Sequence, residues 1–268
     1  MSNPYKIFVE EPKPSDGLLW RYMDLSKFLD FLQRRALFFS RLENMDDPLE
    51  GYQPRGYWEA IKNAKTKVHG PPLEEGFEEM YLNSEKKLVP IHKRYACINC
   101  WHQNKMESDA MWRLYGGDDK GIAIQTSVES LKNCFLNQNS YEVVLGKIGY
   151  VDYRDFSNRQ YNPMGGFQKD LSYKHEEEVR AVIWSKDVDG KTFDEMLSMP
   201  ISNGHHISVD PEKLVEKVYL SPKVSEWNYE LLENLIEKYE INVPIVPSVY
   251  RSVPEDLLPN KRHNVAQE

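Results

Sequence analysis

Tyr95-Ala96-Cys97-Ile98-Asn99-Cys100-Trp101 and, further on, Gly121-Ile122-Ala123-Ile124-Gln125-Thr126 decide the fold class of this chain. Both runs are apolar and too short for an ordinary helix, so each predicts a buried strand. Between them Ser108 to Tyr115 reads as a short helix that offers Met111, Trp112 and Tyr115 to the interior. Upstream, Gly17 to Tyr22 predicts a first strand, and Asp24 caps a helix carrying Leu25, Phe28, Leu29 and Leu32 at helical spacing. That helix should end near Arg34-Arg35, ahead of a short aromatic strand from Ala36 to Arg41. Downstream, Ser127 to Phe135 predicts a helix, and strands follow at Tyr141 to Tyr153, Glu178 to Trp184, His205 to Val209 and Leu214 to Leu220. Ser225 caps a last helix through Tyr239. The run Val243 to Tyr250 carries Pro244 and Pro247 and belongs at a sheet edge.

Helices and strands mix here without regular βαβ alternation. The expectation is an α+β fold with a mainly antiparallel central sheet flanked by helices. Residues 56–95 look mostly helical and heavily charged, and 56–89 is expected to be a helical insertion outside the sheet. The whole chain, 1–268, is read as a single domain with a polar, frayed tail at 252–268.

Composition narrows the function. Aromatic residues make up 12% of the chain, including 6 Trp and 16 Tyr, too much packable surface for a disordered protein. No apolar run approaches the ~20 residues that cross a bilayer, so no membrane partner is expected. The start, MSNPYKIFVEEPKPSDG, lacks the pattern of a signal peptide, and three Cys suit a reducing compartment; the expected location is cytoplasmic. With 34 basic against 42 acidic residues, a net charge of -8 disfavours general duplex binding but leaves room for a local basic pocket. No G-x-G-x-x-G, G-x-x-x-x-G-K-[ST] or G-x-S-x-G motif is present, which counts against Rossmann, P-loop and α/β-hydrolase chemistry. Cys97 and Cys100 are spaced C-x-x-C, but on a strand they face opposite sides, so no metal is expected there and both are read as small buried hydrophobes.

Three clusters carry chemistry. The densest is Lys169-x-x-x-Tyr173-x-x-Glu176-Glu177-Glu178-Val179-Arg180. Extended alternation would put Glu176, Glu178 and Arg180 on one face, as a carboxylate pair fixed by a cation or as an ordinary paired strand start. Trp20-Arg21-Tyr22 sets a cation on a buried strand, where it needs an acid or an anionic ligand. The acids nearest in sequence follow Phe39-Ser40-Arg41, namely Asp46, Asp47 and Glu50. Trp112 and Tyr115 supply either core or an aromatic wall for a base. Arg21, Ser40, Trp112, Glu176, Glu178 and Arg180 are expected to face one concave site.

The ordered motifs W-R-Y-M-x-L-x-K-F-L, L-F-F-S-R, D-D-P-L-E-G, C-W, M-W-x-x-Y, K-G-I-A-I, K-x-x-x-Y-x-x-E-x-E-V-R and V-Y-L-S-P resemble a bacterial and phage-associated family catalogued as a domain of unknown function. The likeness runs from about Leu18 to Arg251 and names no reaction. More distantly, a strand-borne Arg, a later strand ending in an aromatic and Ser, and a late E-x-E opening a strand are similar to the R-S-E arrangement of ADP-ribosyltransferases, including their DNA-modifying toxin branch. That resemblance implies an ADP-ribosyltransferase-like fold and an enzyme using NAD, a toxin or phage- and defence-associated factor, with a protein or nucleic-acid acceptor left open. Carried over, Arg21, with Tyr22 beside it, would contact the NAD phosphates or ribose, and Ser40 would support the nicotinamide pocket. Glu178 would hold the nicotinamide ribose and stabilise the oxocarbenium ion, and Glu176 would orient the acceptor. Trp112, Tyr115 and Arg180 complete the proposed nucleotide site. The chain lacks a clear S-T-S. Two other readings stand: a non-catalytic phage- or defence-associated interaction module, and a nuclease holding Mg²⁺ on Asp46, Asp47 and Glu50.

Overall fold

The computed structural model describes residues 10–62, 77–136, 140–157 and 166–251. The first half runs β1 (Leu18–Met23), α1 (Leu25–Arg34), β2 (Ala36–Arg41), α2 (Arg55–Lys62), α3 (Phe77–Tyr95), β3 (Ala96–Asn104), α4 (Asp109–Tyr115), β4 (Ile122–Thr126) and α5 (Val128–Cys134). The second runs β5 (Val144–Lys147), β6 (Gly149–Val151), β7 (Gln168–Asp170), β8 (Glu178–Trp184), α6 (Phe193–Ser198), β9 (Gly204–Ser208), α7 (Pro211–Leu214), β10 (Lys217–Leu220), α8 (Glu226–Lys238) and β11 (Ile245–Pro247). The expected helix starts are built on side-chain caps: Asp24, Ser108, Ser127 and Ser225 each accept from a backbone N–H three residues on. Arg35 closes α1 in the left-handed conformation, its N–H bonded to the Leu32 carbonyl.

The main sheet runs β11-β10-β4-β1-β3-β2-β9, with β8 on the other edge of β3 and β5 beyond β8. All pairings in it are antiparallel except β10 with β11, so the fold is α+β with a mainly antiparallel sheet flanked by helices. The proline-bearing β11 lies at the edge, where a missing N–H costs no ladder bond. The pleat sends Leu19, Phe39, Cys97, Trp101, Ile124, Ala181 and Leu220 into the largest core, which Phe28 of α1, Leu131 of α5 and Leu232 of α8 cover. Each such fully buried Leu, Ile or Phe contributes about 1.5–3 kcal/mol. The opposite face carries Ile98 and Val182 in one cluster, and Trp20, Tyr22, Ala123, Met111 and Trp112 in another.

One edge of β3 is shared by two strands. β2 pairs with it only at Cys97 and Ile98, and β1 only from His102 to Asn104. Over Asn99, Cys100 and Trp101 neither strand completes the ladder, so β1 and β2 diverge. Side chains bridge the gap instead: Asn99 Nδ2 donates to the Phe38 carbonyl at 2.9 Å, and Arg21 Nη1 to the Cys100 carbonyl at 2.9 Å.

Several expectations are corrected. Tyr141 to Tyr153 is not one strand: β5 joins the main sheet, while β6 pairs in parallel with β7 in a separate two-stranded sheet. Leu214 ends α7, whose Pro211 start and Asp210 cap take the chain out of extended geometry before β10. Glu176 does not lie on a strand. It ends a 3₁₀ turn, Leu171–Glu176, and Glu177 closes that turn at φ 39°. The described part of 56–89 is helical and outside the sheet, although α3 continues to Tyr95. The expected tail, 252–268, lies outside the described residues.

Candidate active site

A cleft of about 630 Å³ opens where β1 and β2 separate. Arg21, Tyr22, Ser40, Tyr115, Glu176, Glu178 and Arg180 all line it, together with Lys169, Cys100 and His102. Residues far apart in sequence thus meet because β3 brings β1, β2 and β8 to one place.

They do not all rise from one face. Trp20 lies opposite His102 and His102 opposite Glu178, so Trp20 and Glu178 share a side of the sheet, and Arg21 starts from the other. Of the six residues expected to face one concave site, Trp112 alone is not among those lining this cleft. Arg21 still reaches the cleft because the seam leaves a passage through the sheet: its guanidinium stands 5.8 Å from the Trp101 ring centroid and bonds the Cys100 carbonyl. Burial pulls its pKa downward. Among the described residues no carboxylate pairs with it, so the expected salt bridge to Asp46, Asp47 or Glu50 is not made.

The acids and bases of the late motif form a buried cluster. Arg180, fully buried, takes Glu178 in two-point fashion, through Nε at 2.5 Å and Nη2 at 3.1 Å, and also bonds Glu50 and the Gly166 carbonyl. Lys169 Nζ lies 2.5 Å from Glu176, 3.5 Å from Glu178 and 3.7 Å from Glu50, and 4.5 Å from the Tyr173 ring centroid. Tyr115 donates its hydroxyl to Glu176 at 2.6 Å. Burial would raise the Glu178 carboxyl, but Arg180 and then Lys169 outweigh it and hold it below the usual value. For Glu50 burial wins over Arg180, and the carboxyl is pushed up. Burial lowers the Lys169 ammonium, yet Glu178 and Glu176 keep it above its ordinary value. Glu178 is therefore a fixed anion. Donors occupy both oxygens of Glu178 and of Glu176, which suits charge stabilisation better than proton abstraction.

The aromatic residues divide. Tyr115 is 44% exposed and presents its ring to the cleft. Trp112 is 3% exposed and lies outside the cleft lining; its indole N–H bonds Glu107 and it packs edge-on under Tyr22. Burial raises the Tyr22 phenol, which accepts from Ser108 N. His102 is bonded through Nδ1 to the Glu176 carbonyl at 2.6 Å and fixes the turn carrying that residue. Ser40 lines the cleft on the same face as Glu178, opposite Ile98.

Lys169, Glu50 and His102 escaped the sequence reading as parts of this site. Lys169 had a signal, its helical spacing ahead of Tyr173 and Glu176, but nothing local ties Glu50 to Arg180. The nuclease arrangement is not formed: Asp46 is exposed, Asp47 accepts from Leu49 N, and Glu50 is buried against Arg180. Among the described residues no group of three or more His, Cys, Asp or Glu could hold a metal ion. Cys97 sits in the main core and Cys100 on the cleft face. No described helix is long and apolar enough to cross a membrane.

Fold and cleft define an α+β protein with a split-sheet pocket lined by charged and aromatic side chains. In sequence, the family described as a protein of unknown function (DUF2971) matches residues 111–181, from α4 through most of β8. No curated protein matches the chain. Among solved structures, DarT of Thermus sp. 2.9 in complex with ADP-ribosylated ssDNA is similar at 8% identity, covering 90% of this chain and 97% of that one, with a TM-score of 0.37. The same protein in complex with NAD+ is 10% identical, with 88% and 96% covered and the same TM-score of 0.37.

Proposed function

We propose that this chain is an ADP-ribosyltransferase-like enzyme with NAD as its substrate. The observation that carries the reading is Arg21, a half-buried cation with no carboxylate partner among the described residues, in the same cleft as the fixed anion Glu178. A dinucleotide satisfies both. Its pyrophosphate would neutralise Arg21. Its nicotinamide ribose would lie against Glu178, with Tyr115 beside the nicotinamide ring. Ser40 is two strand steps across and two residues along from Arg180, about 12 Å, a distance that suits a ribose or phosphate oxygen better than the nicotinamide itself.

In the reaction the bond between nicotinamide N1 and C1′ breaks, and nicotinamide leaves with the electron pair. The positive charge that develops on the ribose is stabilised by Glu178, which burial and Arg180 keep in place without reorganisation. The acceptor then bonds C1′ and loses a proton, with Glu176 orienting it. The test is calorimetry with NAD and a nicotinamide-release assay, run with single-stranded DNA and protein acceptors. Wild type that neither binds NAD nor releases nicotinamide with any acceptor overturns the reading.

A further inference from the structure

The cleft has a second end that the reaction chemistry leaves unused. Beyond Ser40 it is lined by Phe38 and His206, which are cross-strand partners on β2 and β9, and by Asp30 of α1. The Phe38 and His206 rings lie 5.0 Å apart, and Asp30 Oδ2 holds His206 Nε2 at 2.8 Å while Oδ1 takes Arg34 Nε at 2.5 Å. His206 Nδ1 has no partner among the described residues.

Register measures the separation of the two ends. His206 sits on β9, next to β2, then β3, then β8 with Arg180: three strand steps, about 14 Å. That span is longer than a mononucleotide and close to a dinucleotide laid across the sheet, with Arg21 in the seam between the ends. A ring pair with a carboxylate at its edge suits a purine, which offers a face to stack and an exocyclic amine to donate. Burial would raise the Asp30 carboxyl, but bonds from His206 and Arg34 hold it below its usual value, so it stays an acceptor at neutral pH.

We infer that Phe38, His206 and Asp30 form the purine subsite of the cleft, in which the base packs into the angle between the two rings, whose planes are 52° apart, and its amine donates to Asp30. The inference rests on the NAD reading and makes the cleft selective for the whole dinucleotide over nicotinamide mononucleotide.

Calorimetry of wild type, Phe38→Ala, His206→Ala and Asp30→Asn with NAD, with nicotinamide hypoxanthine dinucleotide and with nicotinamide mononucleotide tests it. Losing either ring should lower the ratio of NAD to mononucleotide affinity by up to about tenfold. Wild type should prefer the adenine over the hypoxanthine dinucleotide, and Asp30→Asn should erase that preference. Thermal melts establish that each variant folds, and His206→Ala decides the matter if Phe38→Ala does not. Unchanged affinity ratios in folded variants, with NAD still bound by wild type, overturn the purine subsite alone. Wild type that binds none of the three ligands overturns the NAD reading with it.

Discussion

Arg21 and Cys100 are joined across a gap in the sheet: the Arg21 guanidinium donates to the Cys100 carbonyl at 2.9 Å where β1 and β2 part from β3. A backbone acceptor that no strand satisfies is met by a side chain, and the rest of the guanidinium is left for a ligand. Arg21→Ala should therefore weaken NAD binding by about 1.5–3 kcal/mol, the scale of a charged hydrogen bond. Calorimetry reads this directly, and binding equal to wild type would exclude Arg21 from the ligand site.

Glu178→Gln should act twice. It removes the anion facing the ribose, so nicotinamide release should fall about 10²–10³-fold per folded molecule. It also leaves the buried Arg180 short of a counter-charge, and breaking such a pair costs about 3–5 kcal/mol, so the melting temperature should drop. Circular dichroism melts beside single-turnover rates separate the two. Turnover unchanged at full folding would exclude Glu178 from the chemistry.

Stability should pass through a maximum in mild acid. Glu50 has its folded pKa raised above the ordinary 4.5, so its contribution is fully present below 4.5 and is lost as pH rises through the folded value. Glu178 has its folded pKa lowered, so its contribution is present above 4.5 and is lost as pH falls through the folded value. Melting temperatures across this range should rise and then fall on acidification. Glu50→Gln should flatten the limb above 4.5 and leave the acid limb; an unchanged upper limb would rule Glu50 out as its source.

The three thiols should be inert near neutral pH. Burial pushes Cys97 up to about 11 and Cys134 to about 12, and burial with the Glu178 charge lifts Cys100 well above its usual value. Alkylation at pH 8 should be far slower for the folded than for the urea-unfolded chain, as followed by mass spectrometry. Rapid labelling of Cys100 in the folded protein would contradict the packing of the cleft floor.

Asn99→Ala should cost about 1–3 kcal/mol. It removes the donor to the Phe38 carbonyl and strands the buried Trp101 indole N–H, which bonds Asn99 Oδ1 at 2.7 Å. Urea denaturation measures the loss, and a neutral result would mean that the seam is held by other contacts.

The sequence by itself determined the local elements. Short apolar and aromatic runs in Leu18–Met23, Ala36–Arg41 and Glu178–Trp184 and the caps Asp24, Ser108, Ser127 and Ser225 act through neighbours a few residues away, so their outcome is written in short stretches. It also marked Arg21, Glu176 and Glu178 as polar groups in apolar company that require partners. Which partners they found was decided only by the tertiary structure. The split edge of β3 belongs to no single segment, because it depends on β1 and β2 competing for one row of backbone groups. Glu176 meets Glu178 through a 3₁₀ turn and Lys169 rather than by strand alternation. Glu50 and Arg180, 130 residues apart, pair because a buried guanidinium must have its charge met, and only folding determines which acid arrives.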